Sequence, residues 1–193
     1  MEMSGLLINT IAPEVCMRAA RIKVLLMDVD GVLTDGRLFY MVGEDKQVFE
    51  TKAFNSQDGL GLHFLNFVGI QTGVISGRES PAVVERAKIL KMSYVYQGLL
   101  DKQGAFEEIL KDACVESDEV AFIGDDFTDI PPMRRSGLSI AVANARAEVR
   151  GLAHLTTEAR GGDGAVREVA EVILKSQDLW PSILAKYGLS GQS

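Results

Sequence analysis

The stretch that most constrains this chain is Val24-Leu25-Leu26-Met27-Asp28-Val29-Asp30-Gly31. An apolar run leads straight into a carboxylate, and a second carboxylate follows two positions on with a glycine behind it. Such a run reads as a strand covered on both faces, the kind found in parallel sheets. In those sheets ligands sit beyond the carboxyl ends of the strands. Asp28 is therefore expected at the strand's end, with Asp30 on the same side because alternate residues share one. Gly31 lets the backbone turn tightly behind them. Two carboxylates this close repel unless a cation or a shared proton relieves them. A hard divalent ion such as Mg2+ suits oxygen ligands, and it keeps waters and a substrate phosphate in its shell.

The rest of the chain repeats the strand-then-helix pattern. Strands are expected near 22–29, 70–75, 94–96, 119–123, 138–142 and 154–156. A short helix is expected over 12–20 with Pro13 in its first turn. Further helices are expected from Ser56, from Ser80-Pro81 with Ser80 as the cap, from Asp101-Lys102, and as one final helix from about Gly164 to Tyr187. Alternation at this spacing gives βαβ units and a doubly wound parallel sheet. The one departure is a pair of strand-like segments around Gly43-Glu44-Asp45, read as a β-hairpin insert over about 37–54. It follows the carboxylates directly, so it projects beside them, and it is too small to form a large cap domain.

A length of 193 residues suits a single domain over 1–193, with a tail over about 176–193. Hydrophobic residues at 47% and charged residues at 24% exclude a disordered chain, and a net charge of −7 argues against nucleic acid as a partner. No apolar run approaches the roughly 20 residues of a membrane span, and the first ten residues lack the basic start of a signal peptide. A cytoplasmic protein with Cys16 and Cys114 as buried free thiols is the expectation.

The residues that follow each strand are Asp28 and Asp30, then Ser76 and Arg78, then Lys102, then Asp125, Asp126 and Asp129. On one sheet edge, the acids can hold a divalent cation. The hydroxyl, nearby amides and the lysine can hold phosphoryl oxygens. One aspartate can attack phosphorus to form an aspartyl-phosphate, and another can supply and then remove a proton. Simpler readings fare worse. The glycine comes too early for a calcium loop, and Phe39 stands where the closing glutamate belongs. Gly59-Leu60-Gly61 lacks the third glycine and the preceding strand of a dinucleotide loop. A phospho-accepting signalling domain would share the acids and the lysine, but Asp30 beside Asp28 favours rapid hydrolysis over storage. An inactive scaffolding copy is disfavoured by the complete acid set.

With Asp28-Val29-Asp30-Gly31-Val32, Ser76, Lys102 and Gly124-Asp125-Asp126-Phe127-Thr128-Asp129 in order, the chain resembles the haloacid dehalogenase superfamily of Rossmann-like phosphotransferases. The resemblance implies Asp28 as nucleophile, Asp30 as general acid/base, and Lys102 and Ser76 at the phosphoryl group. It implies Mg2+ on Asp28, the Asp30 carbonyl and Asp125, with Asp126 and Asp129 behind them. Thr34-Asp35-Gly36, Lys52-Ala53-Phe54-Asn55, Asp58-Gly59, Ser76-Gly77-Arg78 and Arg160-Gly161-Gly162 with Gly164 narrow the likeness. They are similar to the family of 3-deoxy-D-manno-octulosonate 8-phosphate (KDO 8-phosphate) phosphatases, which make a lipopolysaccharide precursor. That likeness implies a sugar acid phosphate bound by Ser76, Gly77, Arg78, Thr34 and Lys102. It also implies a homotetramer whose hairpins pack around a central axis, with the tail near Arg160–Gly164 reaching a neighbour's site. Relatives acting on nine-carbon sugar acid 9-phosphates carry glutamate at the position of Arg78, so Arg78 favours the eight-carbon acid. Val32 departs from the threonine of many relatives, away from the chemistry.

Overall fold

The computed structural model describes residues 11–189. The N-terminal stretch read for a signal peptide, and the last residues of the expected tail, lie outside the described residues. In chain order the elements are α1 (Pro13–Ala19), β1 (Val24–Met27), β2 (Phe39–Val42), β3 (Val48–Thr51), α2 (Ser56–Phe67), β4 (Gln71–Ile75), α3 (Pro81–Leu90), β5 (Tyr94–Tyr96), α4 (Gln103–Ala113), β6 (Val120–Gly124), α5 (Ile130–Arg135), β7 (Leu138–Ala141), α6 (Ala147–Leu152), β8 (Leu155–Thr156), α7 (Ala165–Ser176) and α8 (Trp180–Lys186).

The expected α/β fold is present. A six-stranded sheet runs β5-β4-β1-β6-β7-β8, and every neighbouring pair in it is parallel. The chain moves outward from β1 through β4 to β5, then returns to β6 on the other side of β1 and moves outward again. The order therefore reverses between β1 and β6, where ligands gather in doubly wound sheets. Every residue of β1 and of β6 is buried, which is why these strands read as unbroken apolar runs rather than alternating ones.

Helix α7 shows how the flanking layer is held. Val166, Val169, Ala170, Ile173 and Leu174 are buried at the spacing of one helical face, and that helix packs on α2 and α1. Each large aliphatic side chain so buried contributes roughly 1.5–3 kcal/mol.

Several local expectations are corrected. The expected final helix is two helices. Asp178 takes a left-handed φ of 55° and the amide of Leu179 closes back on the Leu174 carbonyl at 2.8 Å. Pro181 then falls in the first turn of α8, where its missing N–H costs little, whereas inside one long helix it would break a bond. Ser80 sits at the cap position of α3, but its hydroxyl is buried without a partner and its amide instead donates to Gln97 Oε1 at 2.8 Å. Both cysteines are free, but neither is fully buried: Cys16 is partly buried, and Cys114 is exposed at the left-handed end of α4. Helices α5 and α6 were not expected; both are short, and α5 carries two prolines that mask its pattern.

The hairpin β2–β3 forms its own two-stranded sheet, with Phe39 opposite Thr51 and Val42 opposite Val48. Phe39, Tyr40, Met41, Val42, Val48 and Phe49 are 46–70% exposed. Such a ribbon is marginal on its own and needs something to pack against. No helix among the described residues is long and apolar enough to cross a membrane.

Candidate active site

The site is built where β1 and β6 end side by side. The amide of Asp28 donates to the Ile123 carbonyl at 3.0 Å, so Asp28 is the first residue past the strand and still on the ladder. The next residues, Val29–Leu33, wind into a tight turn closed by the Thr34 amide on the Val29 carbonyl at 3.0 Å. Gly31 has a φ of +106°, and a Cβ there would stand 2.2 Å from Asp125 Oδ2. Glycine is thus required twice, for its conformation and for the carboxylate pressed against it.

Lys102 is the centre of the charge arrangement. Its Nζ lies 2.6 Å from Asp28 Oδ1 and 2.7 Å from Asp129 Oδ1, and its side chain is 1% exposed. The other oxygen of Asp129 accepts the amides of Asp125 at 2.9 Å and Asp126 at 3.3 Å. Asp129 therefore fixes both the lysine and the turn that carries Asp125. Asp28, Asp125 and Asp129 each place a carboxylate oxygen within 4.8 Å of the others. One ammonium faces three carboxylates, and the imbalance is visible in their acidity. Burial, then Asp129, push Asp28 up to about 6. Burial, then Asp129 and Asp28, push Asp125 up to about 8. Burial opposes charge on Lys102, but Asp28 and Asp129 outweigh it and raise its pKa. Asp125 Oδ1 is also buried without a hydrogen-bond partner. An acid-only donor set with an orphaned oxygen and surplus negative charge fits a hard divalent cation.

Around this centre stand the other expected residues. Ser76 is buried at the end of β4, and its hydroxyl accepts the Arg78 amide at 3.2 Å, which leaves its own proton to donate. Gly77 lies beneath Leu100. Arg78 is half-exposed on the rim, bonded to Glu50 of β3 and, at 3.3 Å, to the Tyr40 hydroxyl, with its Nε 3.9 Å from Asp30 Oδ2. The Thr34 hydroxyl is used inside the loop: it donates to the Val29 carbonyl and accepts the Gly36 amide. Asp126 turns away from the acid cluster, accepting the Phe127 amide at 2.8 Å and facing Arg146.

The stretch Arg160–Gly164, expected to reach a neighbour, packs against the Val29–Leu33 loop of its own chain. The Gly162 amide donates to the Val32 carbonyl at 2.9 Å, and a Cβ on Gly161 would fall 1.7 Å from the Gly31 carbonyl oxygen.

The sequence reading gave no role to Lys52, Glu50, Asn144 or Asp58. Lys52 is bonded to Asp30 and stands 3.1 Å from Glu50. Asn144 stitches the Gly31 carbonyl to the Gly161 amide. Asp58, fully buried, accepts the Gly164 and Arg167 amides. The motif-like Lys52 and Asp58 were visible as a resemblance, but nothing local to them gave their partners.

Known proteins share the sequence and the fold of this chain. Residues 85–169 match the family of haloacid dehalogenase-like hydrolases. The 3-deoxy-D-manno-octulosonate 8-phosphate phosphatase of Yersinia pestis is 43% identical over 168 residues, spanning 87% of this chain and 88% of the relative. The phosphatase of the same name from Salmonella typhimurium is 39% identical over 167 residues, 86% of this chain and 87% of the relative. The crystal structure of the Moraxella catarrhalis phosphatase, in complex with magnesium, phosphate and KDO, is 41% identical and superposes with a TM-score of 0.85. It covers 90% of this chain and 98% of that one.

Proposed function

This chain belongs to the haloacid dehalogenase-like hydrolases, in the family of the 3-deoxy-D-manno-octulosonate 8-phosphate phosphatases, and from that premise we propose that it hydrolyses KDO 8-phosphate to KDO and inorganic phosphate with Mg2+. The observation that carries the reading is the buried meeting of Asp28, Lys102, Asp129 and Asp125 at the ends of β1 and β6.

The chemistry follows from who holds whom. Asp28, Asp125 and the Asp30 carbonyl would hold Mg2+, which when bound offsets charge on the phosphoryl oxygens. Lys102 fixes the Asp28 carboxylate through Oδ1. An Asp28 oxygen attacks phosphorus; the new Asp28–phosphorus bond forms as the ester bond breaks, and Asp30 gives its proton to the departing sugar oxygen. Water then attacks the aspartyl-phosphate and yields its proton to Asp30. The Asp28–phosphorus bond breaks, phosphate leaves, and both acids are restored. Ser76 and the amides beside it steady the phosphoryl oxygens. Arg78 recognises the sugar carboxylate.

The same proposal includes a homotetramer in the cytoplasm, supplying lipopolysaccharide precursor. The exposed apolar hairpin supports an assembly in which hairpins cover one another. Arg160, exposed beside the strap that folds on its own loop, is the part of that stretch left to face a neighbour.

Phosphate release from KDO 8-phosphate and from a nine-carbon sugar acid 9-phosphate, at equal concentration with and without EDTA, tests the reading. Faster release from the eight-carbon ester, abolished by EDTA, is expected. A preference for the nine-carbon ester would contradict the role of Arg78, and no release from either would contradict the activity.

A further inference from the structure

The hairpin is joined to the acid/base residue by a line of alternating charges. Lys52, immediately after β3, has a side chain 1% exposed. Its ammonium is bonded to Asp30 Oδ1 and lies 3.1 Å from Glu50 Oε1, an ion pair without hydrogen-bond alignment. The second oxygen of Glu50 takes the Arg78 guanidinium, which also bonds Tyr40 of β2. A buried lysine is costly unless paired, and here both its partners are carboxylates of the site region. The line Asp30–Lys52–Glu50–Arg78 thus runs from the first loop through the hairpin to the loop after β4. It leaves the two Asp30 oxygens unlike: Oδ1 is tied to Lys52, while Oδ2 is buried with no hydrogen-bond partner.

We propose that Lys52, itself braced by Glu50, is the positioning residue for the proton-transferring aspartate: it clamps Asp30 Oδ1 so that Oδ2 is the oxygen presented to the leaving group and then to water. This rests on the aspartyl-phosphate reading and adds the residue that orients its second acid. In the first step the proton moves from Oδ2 to the ester oxygen as that oxygen leaves phosphorus. In the second step Oδ2 takes the proton of the attacking water as the Asp28–phosphorus bond breaks. The clamp is carried by the hairpin rather than by the sheet, so the acid/base residue is set correctly only when the hairpin is in place.

The test uses the full chain with saturating Mg2+, comparing Lys52→Met, Lys52→Arg and the unsubstituted protein on KDO 8-phosphate and on p-nitrophenyl phosphate. A sugar alkoxide needs a proton to leave and nitrophenolate does not. Lys52→Met is expected to lower kcat on the sugar ester about 100-fold, the scale of one acid/base contribution, with KM within about threefold. On p-nitrophenyl phosphate it is expected to give a fast burst of nitrophenolate followed by slow turnover, because only the water step still needs Asp30. Lys52→Arg, which keeps a cation between the carboxylates, is expected to recover about tenfold of the lost kcat. A kcat for Lys52→Met within threefold of the unsubstituted protein would overturn the proposal. So would equal loss of the burst and of turnover, the mark of a purely structural role. If the unsubstituted chain releases no phosphate from either ester, the activity itself fails and the positioning role falls with it.

Discussion

Lys102 Nζ lies 2.6 Å from Asp28 Oδ1, and the pair is buried at the junction of the two central strands. The nucleophile of the proposed reaction is thereby held by an internal cation rather than by solvent. Replacing Lys102 with methionine keeps the volume and leaves two buried carboxylates unpaired. In EDTA, a loss of about 3–5 kcal/mol in urea unfolding is expected, the usual cost of stranding a buried charge. An unchanged midpoint would show that the acids are not relying on the lysine.

Gly31→Ala meets both a left-handed φ and the Asp125 carboxylate. The loop or Asp125 must move, and activity is expected to fall about 100-fold, the scale of a misplacement near 1 Å. Retained activity would mean that Asp125 is free to shift without consequence.

The metal-free protein should lose stability as pH rises from about 5 to 8. Asp28 at about 6 and Asp125 at about 8 both hold protons in the folded chain that the unfolded chain has already released. These two acids outweigh His154, whose imidazole is held below its ordinary value by burial and so has the opposite sign, and stability falls with rising pH. Burial raises Asp58 and Glu168 in the same direction. Glu50, lowered chiefly by Arg78, has the opposite sign, but its contribution is complete above its ordinary value of 4.5. Thermal melts in EDTA at pH 5 and pH 8 check the slope, and Asp125→Asn should flatten it. Because a cation needs the acids deprotonated, Mg2+ should bind more tightly at pH 8 and release protons on binding, read by calorimetry in two buffers. A slope of the opposite sign would contradict the crowding of Asp28, Asp125 and Asp129.

What a sequence reveals of such a site depends on the range of the interactions involved. Asp28, Ser76, Lys102 and Asp125 follow apolar runs, and a parallel sheet brings all such strand ends to one edge, so local pattern was enough to place them. The hairpin was legible from its turn. The partition between Asp126 and Asp129 was not, because both are carboxylates of one loop and only the tight turn over 127–129 decides that Asp129 faces inward. Lys52 was seen only as part of a motif. Its role depends on where the returning strand sets it against Asp30, 22 positions earlier. The contact of Gly161 with Gly31 is likewise backbone against backbone across most of the chain, with no local signature.

That contact carries its own prediction. In Gly161→Ala the new methyl would collide with a carbonyl of the catalytic loop, and the loss of the Gly162–Val32 bond would follow. A drop of about 10- to 100-fold in kcat is expected, since the loop carrying both aspartates would be displaced. Steady-state kinetics on KDO 8-phosphate, with the melting temperature alongside, checks it; unchanged kcat would detach the strap from catalysis.

The most direct measurement is phosphate release from KDO 8-phosphate by Asp28→Asn at saturating Mg2+, with circular dichroism to show that the fold is kept. The substitution preserves shape and removes the nucleophile, so release at the uncatalysed background is predicted. A folded Asp28→Asn protein turning over within tenfold of the unsubstituted chain would contradict covalent catalysis at this residue.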